Sequence, residues 1–313
     1  MDLKNKNKAV KVKKLKSIIT GGAGFIGSNL ADHLVNAGHK VIVLDNFVSG
    51  KKINLSHHKK KNLKIVKIDI SKNKDLKKYF KGVNFVFHLA GLAEIIPSFK
   101  NPKKYFLNNV LGTLNVLEAA KKEKIKKLIY AASSSCYGNT NTFPTSENAK
   151  IDLKHPYALT KFMGEELVMN YASMFNMPNI SFRFFNIYGP RLKTSGPYSA
   201  VIGKFLTQLK NRKYLTIVGD GKQTRDFIHV DDLADVFLKI IKSKHVNKIY
   251  NLGSGKKTSI NTIAKMFNSK KKFIPIRPGE PRNSLANVSK LKKDINWKPK
   301  ISIELGIKKL LRN

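Results

Sequence analysis

Tyr157 and Lys161 stand four residues apart in HPYALTK, just after Pro156. On a helix begun by that proline, the spacing puts the phenol and the ammonium on one face, one turn apart. A neighbouring cation favours phenolate and brings a group of ordinary pKa ~10 toward use as a base near neutrality. Taken alone, the pair reads equally well as a surface tyrosine and lysine in a lysine-rich chain. A second cluster, Ala132-Ser133-Ser134-Ser135-Cys136-Tyr137-Gly138, closes an apolar run. Open α/β sheets place their ligands at the C-terminal ends of such strands, although a polar turn would look the same. The third is TGGAGFIG at 20–27, with Gly21, Gly24 and Gly27 three apart and Asp45 ending the next apolar run. Glycines let the backbone turn tightly and approach a pyrophosphate, which the free N–H groups of the following helix stabilise. An acid about 20 residues further on suits an adenosine ribose diol. Asp45 would also repel a 2′-phosphate, which favours NAD over NADP despite the nearby Lys51 and Lys52.

The elements that must position these groups follow from hydrophobic pattern. Strands are expected at 15–20, 40–45, 62–70, 83–91 and 127–135, with helices at 28–38 (closed by Gly38), 103–122 and from Pro156 to about Met174. Near-continuous apolar strands alternating with helices imply a parallel sheet covered on both faces. Past residue 180 the rhythm changes. NISFRFFNIYGPR (179–191) is a strand running into a Gly-Pro turn, followed by a helix at 200–211, the turn GDG (219–221) and the Pro/Gly-rich IRPGEPR (276–282). Short punctuated elements suit a smaller lid over the first unit's strand ends. KIYNLGSG (248–255) reads as a strand returning to the first sheet, so the boundary is interleaved.

The 313 residues are about two domains' worth, and 42% hydrophobic content excludes a disordered or fibrous chain. No apolar run approaches the ~18 residues that span a bilayer, so membrane insertion is not expected. The Lys/Asn-rich start has no apolar stretch typical of a secretory signal. Cys136 is the single cysteine, which precludes an internal disulfide or thiolate metal cluster and fits a reducing, cytoplasmic setting. No metal site is expected. The formal charge of +40 raises nucleic-acid binding. Only seven of the sixty basic residues are arginine, however, and the lysines run from Lys4 to Lys309 without a focus. Phosphate and groove readers favour arginine's planar fork. The excess is therefore read as compositional, favouring encounter with anionic ligands but not a nucleic-acid partner.

Taken together and in order, the glycine pattern, HLAG (88–91), NNVLGTLNVLEAA (108–120), SSSCYG, the Tyr157/Lys161 pair, RFFNIYGPR, GDGKQTRDFIHVDD (219–232) and SLANVSKL (284–291) resemble the extended short-chain dehydrogenase/reductase family over nearly the whole chain. Within it, the likeness is to nucleotide-sugar 4-epimerases of the UDP-hexose and UDP-N-acetylhexosamine type. The resemblance implies an α/β fold: a Rossmann-type doubly wound parallel sheet with a smaller C-terminal substrate-binding domain. The expected organisation is a basic extension at 1–14, an NAD-binding domain at 15–180 and a UDP-sugar-binding domain at 181–313, with the strand near 248–253 returning to the sheet.

The resemblance also assigns roles. Tyr157 would be the acid/base on the sugar 4-hydroxyl. Lys161 would hold the nicotinamide ribose and depress the Tyr157 pKa, and Ser133 would hydrogen-bond the reacting oxygen. NAD would lie against Gly21, Gly24, Phe25, Ile26, Gly27, Asp45, Asn46, Asp69, Ile70, Leu89, Ala90 and Asn109 (with Asn108 adjacent). Ser134, Ser135, Asn186, Arg225, Arg277 and Ser284 would face the UDP-sugar, arginine being well suited to its diphosphate. Related 4,6-dehydratases carry Asp-Glu where Ser134 and Ser135 stand, and UDP-glucuronate decarboxylases tend to carry Glu at the second position. Two serines cannot supply a carboxyl proton, which disfavours the elimination branch. A homodimer through the 103–122 and 157–175 helices is expected. UDP-glucuronate remains a rival substrate, and a non-catalytic nucleotide binder has no need of Ser133, Tyr157 and Lys161 together.

Overall fold

The structure, a computed structural model, describes residues 14–72, 75–194, 200–276 and 281–312. Twelve strands are described: β1 (Lys16–Thr20), β2 (Lys40–Asp45), β3 (Leu63–Lys67), β4 (Phe85–His88), β5 (Lys127–Ser133), β6 (Asn179–Phe184), β7 (Asn186–Tyr188), β8 (Leu215–Val218), β9 (Thr224–His229), β10 (Lys248–Leu252), β11 (Lys257–Ser259) and β12 (Lys271–Ile274). Between them run α1 (Phe25–Asn36), α2 (Lys77–Phe80), α3 (Ile95–Lys100), α4 (Pro102–Phe106), α5 (Gly112–Lys121), α6 (Pro156–Phe175), α7 (Val201–Lys210), α8 (Val230–Ile240), α9 (Ile260–Met266), α10 (Ser289–Ile295) and α11 (Ile303–Arg312).

Seven strands form one sheet in the order β10-β6-β5-β4-β1-β2-β3, every pair parallel. Strand order reverses at β1, between β4 and β2, and there the crevice of a doubly wound sheet lies. Successive residues serve opposite faces, as the period of two requires. Ile19, Val43, Phe87, Ile129 and Phe182 join one buried cluster with α1 and α8, while Ile18, Ile42, Val86, Leu128 and Tyr130 join another with α5 and α6. Both faces are covered over the middle of the sheet, where β5 is buried at all seven positions, whereas β3 at the edge exposes Lys64, Ile65 and Lys67.

The returning strand at 248–255 is found as β10, paired to β6 from Lys248↔Ile180 to Leu252↔Phe184. The chain comes back more than once. Leu233 and Phe237 of α8, Leu291 of α10 and Trp297 also pack into the first sheet's cluster. The remaining strands make a separate layer, β11-β9-β7 and β12-β8, over a third cluster that includes Tyr188, Phe205, Ile217, Phe227 and Ile263.

Two expectations are refined. The single helix anticipated at 103–122 is three pieces, α4, a π-helical turn at Leu107–Leu111, and α5. The first helix begins at Phe25 directly after the glycine turn, three residues earlier than the pattern gave, because small residues there carry no amphipathic signal. The elements α8, α9, α10 and α11 and the strands β8, β9, β11 and β12 were not anticipated as such. Their partners lie far away in sequence.

Candidate active site

The C-terminal ends of β1, β2, β4 and β5 bring the expected cofactor and catalytic residues to one edge of the sheet. After β1, Gly21 adopts φ +69°, and a Cβ there would fall 2.8 Å from the backbone of Ala90. A Cβ on Gly27 would sit 2.4 Å from the Gly21 carbonyl oxygen. The turn is thus a cradle that side chains would fill, with α1 opening at Phe25 and Ile26 from Gly24, where no side chain caps the helix. Uncapped first-turn N–H groups beside a glycine cradle fit a dinucleotide diphosphate.

Asp45 ends β2, buried, and accepts N–H groups from Ala23 at 2.9 Å and Phe47 at 2.8 Å. It therefore fixes the glycine turn as well as offering its remaining lone pairs. Asn46 and Asp69 are hydrogen-bonded to each other, and Ser71 bonds Asp69, holding that carboxyl below its ordinary range against the upward push of burial. Ile70 is buried beside them, and its carbonyl accepts from Asn115. From β4, His88 bridges Thr20 Oγ1 (2.7 Å) and Thr113 Oγ1 (2.9 Å); Thr20 Oγ1 in turn accepts the Ala90 N–H. Complete burial pushes the His88 pKa down to about 3, so the ring is neutral and fixes the strand ends at Leu89 and Ala90.

The adjacent asparagines differ in their surroundings. The Asn109 side chain is buried, accepting from Leu92 N–H and donating to Leu92 O and Thr160 Oγ1, whereas Asn108 bonds only its own helix. The π turn at Leu107–Leu111 makes this possible by re-aiming one residue of an otherwise α-helical run, a feature frequent at functional sites. No sequence pattern signals that turn.

Ser133 ends β5 and Tyr157 begins α6. Burial pushes the Tyr157 pKa up, and a hydrogen bond from Ser133 pulls it down. Lys161, one turn on, is buried with its Nζ 4.3 Å from the centre of the Tyr130 ring. Burial brings its pKa down to about 7, with Glu165 opposing. The depression of Tyr157 expected from Lys161 is absent from this arrangement of protein groups. Desolvation dominates both residues, and the ammonium lies against an aromatic face. The Tyr157 ring belongs to an aromatic row: His155 lies parallel to it with centroids 5.8 Å apart, Tyr105 meets it edge-on at 6.5 Å, and Phe99 meets His155 at 6.3 Å. Ser134 and Ser135 occupy a 3-10 turn beyond Ser133, half-buried, with the Ser135 N–H bonded to Ser133 Oγ.

Behind the turn lies a network the sequence did not disclose. Tyr137 donates to Asn251 and accepts from Arg183, whose guanidinium also pairs with Glu165, all of them buried. Cys136, buried beside it with its thiol pushed up to about 12, has no thiolate character near neutral pH.

The expected substrate residues come together on β9 and its neighbours. Arg225 donates to the carbonyls of Thr224 and Arg282, Ser284 N–H donates to Thr224 O, and Asn186 reaches the Asp226 carbonyl at 3.3 Å. Arg277 lies outside the described residues. Asp226, missed by sequence reasoning, organises this group. Fully buried, it accepts from Ser254 N–H and Oγ–H, Gly255 N–H and Ala286 N–H. Its only sequence signal is its place beside Arg225 in the TRDFIH run.

Apart from these groups, Asp32 accepts from His57 and His58 at 2.9 and 2.7 Å. Its other oxygen is paired with Arg191, which offsets the carboxylate charge a cation would need.

The sequence profile of the NAD dependent epimerase/dehydratase family matches residues 17–253. A putative UDP-glucose 4-epimerase from Methanocaldococcus jannaschii is 35% identical, with 94% of this chain and 96% of that protein covered. A UDP-N-acetyl-alpha-D-glucosaminuronate decarboxylase from Bacillus cytotoxicus is 34% identical, with 96% and 97% covered. The solved structure of a UDP-N-acetylglucosamine 4-epimerase from Methanobrevibacter ruminantium, in complex with UDP-N-acetylmuramic acid, superposes with a TM-score of 0.90 at 33% identity, covering 96% of this chain and 99% of that one. With its glycine cradle, Asp45 and the Tyr157/Lys161 pair on a doubly wound sheet, this chain belongs to the NAD dependent epimerase/dehydratase family, an enzyme family whose cofactor is NAD.

Proposed function

We propose that the protein is a UDP-sugar 4-epimerase interconverting gluco and galacto configurations. The carrying observation is the placement of Tyr157 in the first turn of α6, Lys161 buried one turn along, and Ser133 at the end of β5 with two further hydroxyls, Ser134 and Ser135, on the adjoining turn. That set can move one proton on and off a sugar hydroxyl and has no carboxyl where an elimination or a uronate decarboxylation would call for one.

When bound, NAD would supply a hydride acceptor at sugar C4 and a hydride donor back to it, so that net redox would be zero. Tyr157 takes the 4-hydroxyl proton and later gives it back, while Ser133 donates to the oxygen that gains charge. Lys161, buried one turn along with its pKa brought down to about 7, would hold the nicotinamide ribose. Asp45 holds the adenosine ribose and the glycine turn together. Asn186, Arg225 and Arg277 engage the UDP diphosphate side of the substrate, with Asp226 keeping the Arg225 strand in register. The 4-keto sugar turns over between the two hydride transfers.

Ser284 is half-buried beside Thr224, and the resemblance to the 4-epimerases implies that it would stand at the position where a bulky side chain limits the space at sugar C2. This supports acceptance of UDP-N-acetylglucosamine and UDP-N-acetylgalactosamine besides UDP-glucose and UDP-galactose. The exposed apolar residues Phe99, Phe106, Leu107, Leu159, Met174 and Phe175 on α3, α4, the π turn and α6 support a homodimer across these helices. No described helix is long and apolar enough to cross a membrane, and a cytoplasmic setting suits the buried free thiol. The test is incubation of the purified protein with a panel of UDP-sugars and chromatographic separation of the products. A gluco/galacto pair interconverted toward equilibrium is expected. Loss of carbon dioxide or of water from any of them would overturn the assignment.

A further inference from the structure

His155 occupies the N-cap of α6, two residues before Tyr157. Its ring serves two purposes at once. Nδ1 accepts the Ala158 N–H at 3.1 Å, a bond that a Ser, Thr, Asp or Asn oxygen normally accepts at this position. The same ring lies parallel to the Tyr157 ring, at an interplanar angle of 4° and a centroid distance of 5.8 Å, within the range of offset aromatic stacks. A serine would provide the cap without the stack, and a phenylalanine the stack without the cap. Imidazole provides both, but only while Nδ1 carries no proton. Once protonated, Nδ1 becomes a donor facing a donor, and a positive charge appears at the helix end where the dipole disfavours it.

We propose that His155 is a positioning residue for Tyr157: its neutral imidazole sets both the first turn of α6 and the plane of the phenol, so that protonating it disengages the base and slows turnover on the acid side. The proposal rests on the 4-epimerase reading, in which Tyr157 is the base. Burial holds the His155 pKa below the usual histidine value, which keeps the ring neutral at pH 7. The surrounding groups do not reverse this. Tyr157 faces it from its own helix, and Asp152 on the preceding loop is paired with Lys154 at 2.9 Å. On α3 and α4 stand exposed Lys100, Lys103 and Lys104, and the Tyr105 hydroxyl is bonded to Glu94 O.

Two variants separate the roles. His155→Ser keeps a capping oxygen and removes the ring and its titration; His155→Phe keeps a ring and removes the cap. The first readout is melting temperature of the NAD-loaded protein. A histidine whose folded pKa is depressed contributes stability that is fully present above its unfolded pKa of ~6.5 and lost as pH falls through the folded value. Wild type should therefore lose more melting temperature than His155→Ser on going from about pH 8 to about pH 5. The second readout is the pH–rate profile with whichever UDP-sugar turns over. Over that interval wild-type kcat should fall about tenfold further than that of His155→Ser, whose remaining acid limb belongs to Tyr157 and Lys161, as expected for removal of one titrating group. At about pH 7.5, His155→Phe should lose about tenfold in kcat with KM within about threefold of wild type, the pattern of a misplaced base. A merely structural cap would shift the melting temperature and leave the acid limb in place. Superimposable acid limbs, or equal pH dependence of melting, in wild type and His155→Ser would overturn the proposal. If wild type turned over no UDP-sugar at any pH, the epimerase reading would fail instead, and the melting comparison alone would decide the histidine's role.

Discussion

The glycine turn after β1 and the Arg225 segment of β9 are built by opposite means. In the first, backbone meets backbone: the Gly27 Cα lies so close to the Gly21 carbonyl that one added carbon would sit 2.4 Å away. The elements involved are neighbours in sequence, and Asp45 ties them from only 22 residues on. In the second, a buried carboxylate gathers chain segments 28, 29 and 60 residues distant, from Ser254, Gly255 and Ala286. The glycine turn, proposed for the cofactor, depends on the absence of side chains, and the Arg225 segment, proposed for the substrate, depends on one side chain that accepts four hydrogen bonds. Damage to the first should therefore act through close contact and damage to the second through lost polar partners, each leaving the other half intact.

The sharpest test of the junction between the halves is Tyr157→Phe, which removes the oxygen both sides serve. Loss of a general base typically costs 10²–10⁴-fold, so kcat should drop by about a thousandfold while calorimetry finds NAD and UDP binding unchanged. Retention of more than a few per cent of turnover would remove Tyr157 from the chemistry. Next in size is Gly27→Ala. The methyl group must displace backbone, and overpacking of this kind costs about 1–3 kcal/mol or more. NAD affinity should weaken by about ten- to a hundredfold with UDP affinity spared. Equal loss of both ligands would mean that the two halves are not independent.

Legibility follows the same division. Strands β1 to β6, α1, α6, the glycine cradle and the Tyr157/Lys161 pair could be read from the sequence because each is a local pattern: an apolar run, a period, a fixed spacing. Even β10 announced itself by its apolar core. What stayed hidden depends on distant partners. The Asn109 π turn is invisible because it obeys the helical period on either side. Asp226 looks like one more acid in a charged motif until Ser254 and Ala286 arrive beside it. Tyr137 stood close enough to Ser133 to invite attention, but its hydroxyl is committed to Arg183 and Asn251. The depression of Tyr157 by Lys161, argued from spacing, left out desolvation, which outweighs charge in so buried a pair.

Asp226→Asn probes the substrate half in kind. An amide retains one accepting oxygen where the carboxylate has two, and its NH₂ faces donors. Each buried donor left without a partner costs about 1–3 kcal/mol. KM for the UDP-sugar should rise by about tenfold, with a lower melting temperature and NAD affinity unchanged. A matching loss of NAD binding by calorimetry would contradict the division. The most selective effect is expected from Ser284→Tyr. Filling the space beside sugar C2 should lower kcat/KM for acetamido sugars by about ten- to a hundredfold, the cost of overpacking, and largely spare plain hexoses. Equal losses on both classes would place Ser284 away from C2.

The central claim is that a hydride leaves sugar C4 and returns to it without exchanging with water, while Tyr157 handles only the hydroxyl proton. Turnover in D₂O tests this most directly. The epimerised UDP-sugar, isolated and examined by mass spectrometry and NMR, should carry no carbon-bound deuterium at any ring position. Deuterium on C3, C4 or C5 of the product would mean that a C–H proton is abstracted and replaced from solvent, which would contradict the account.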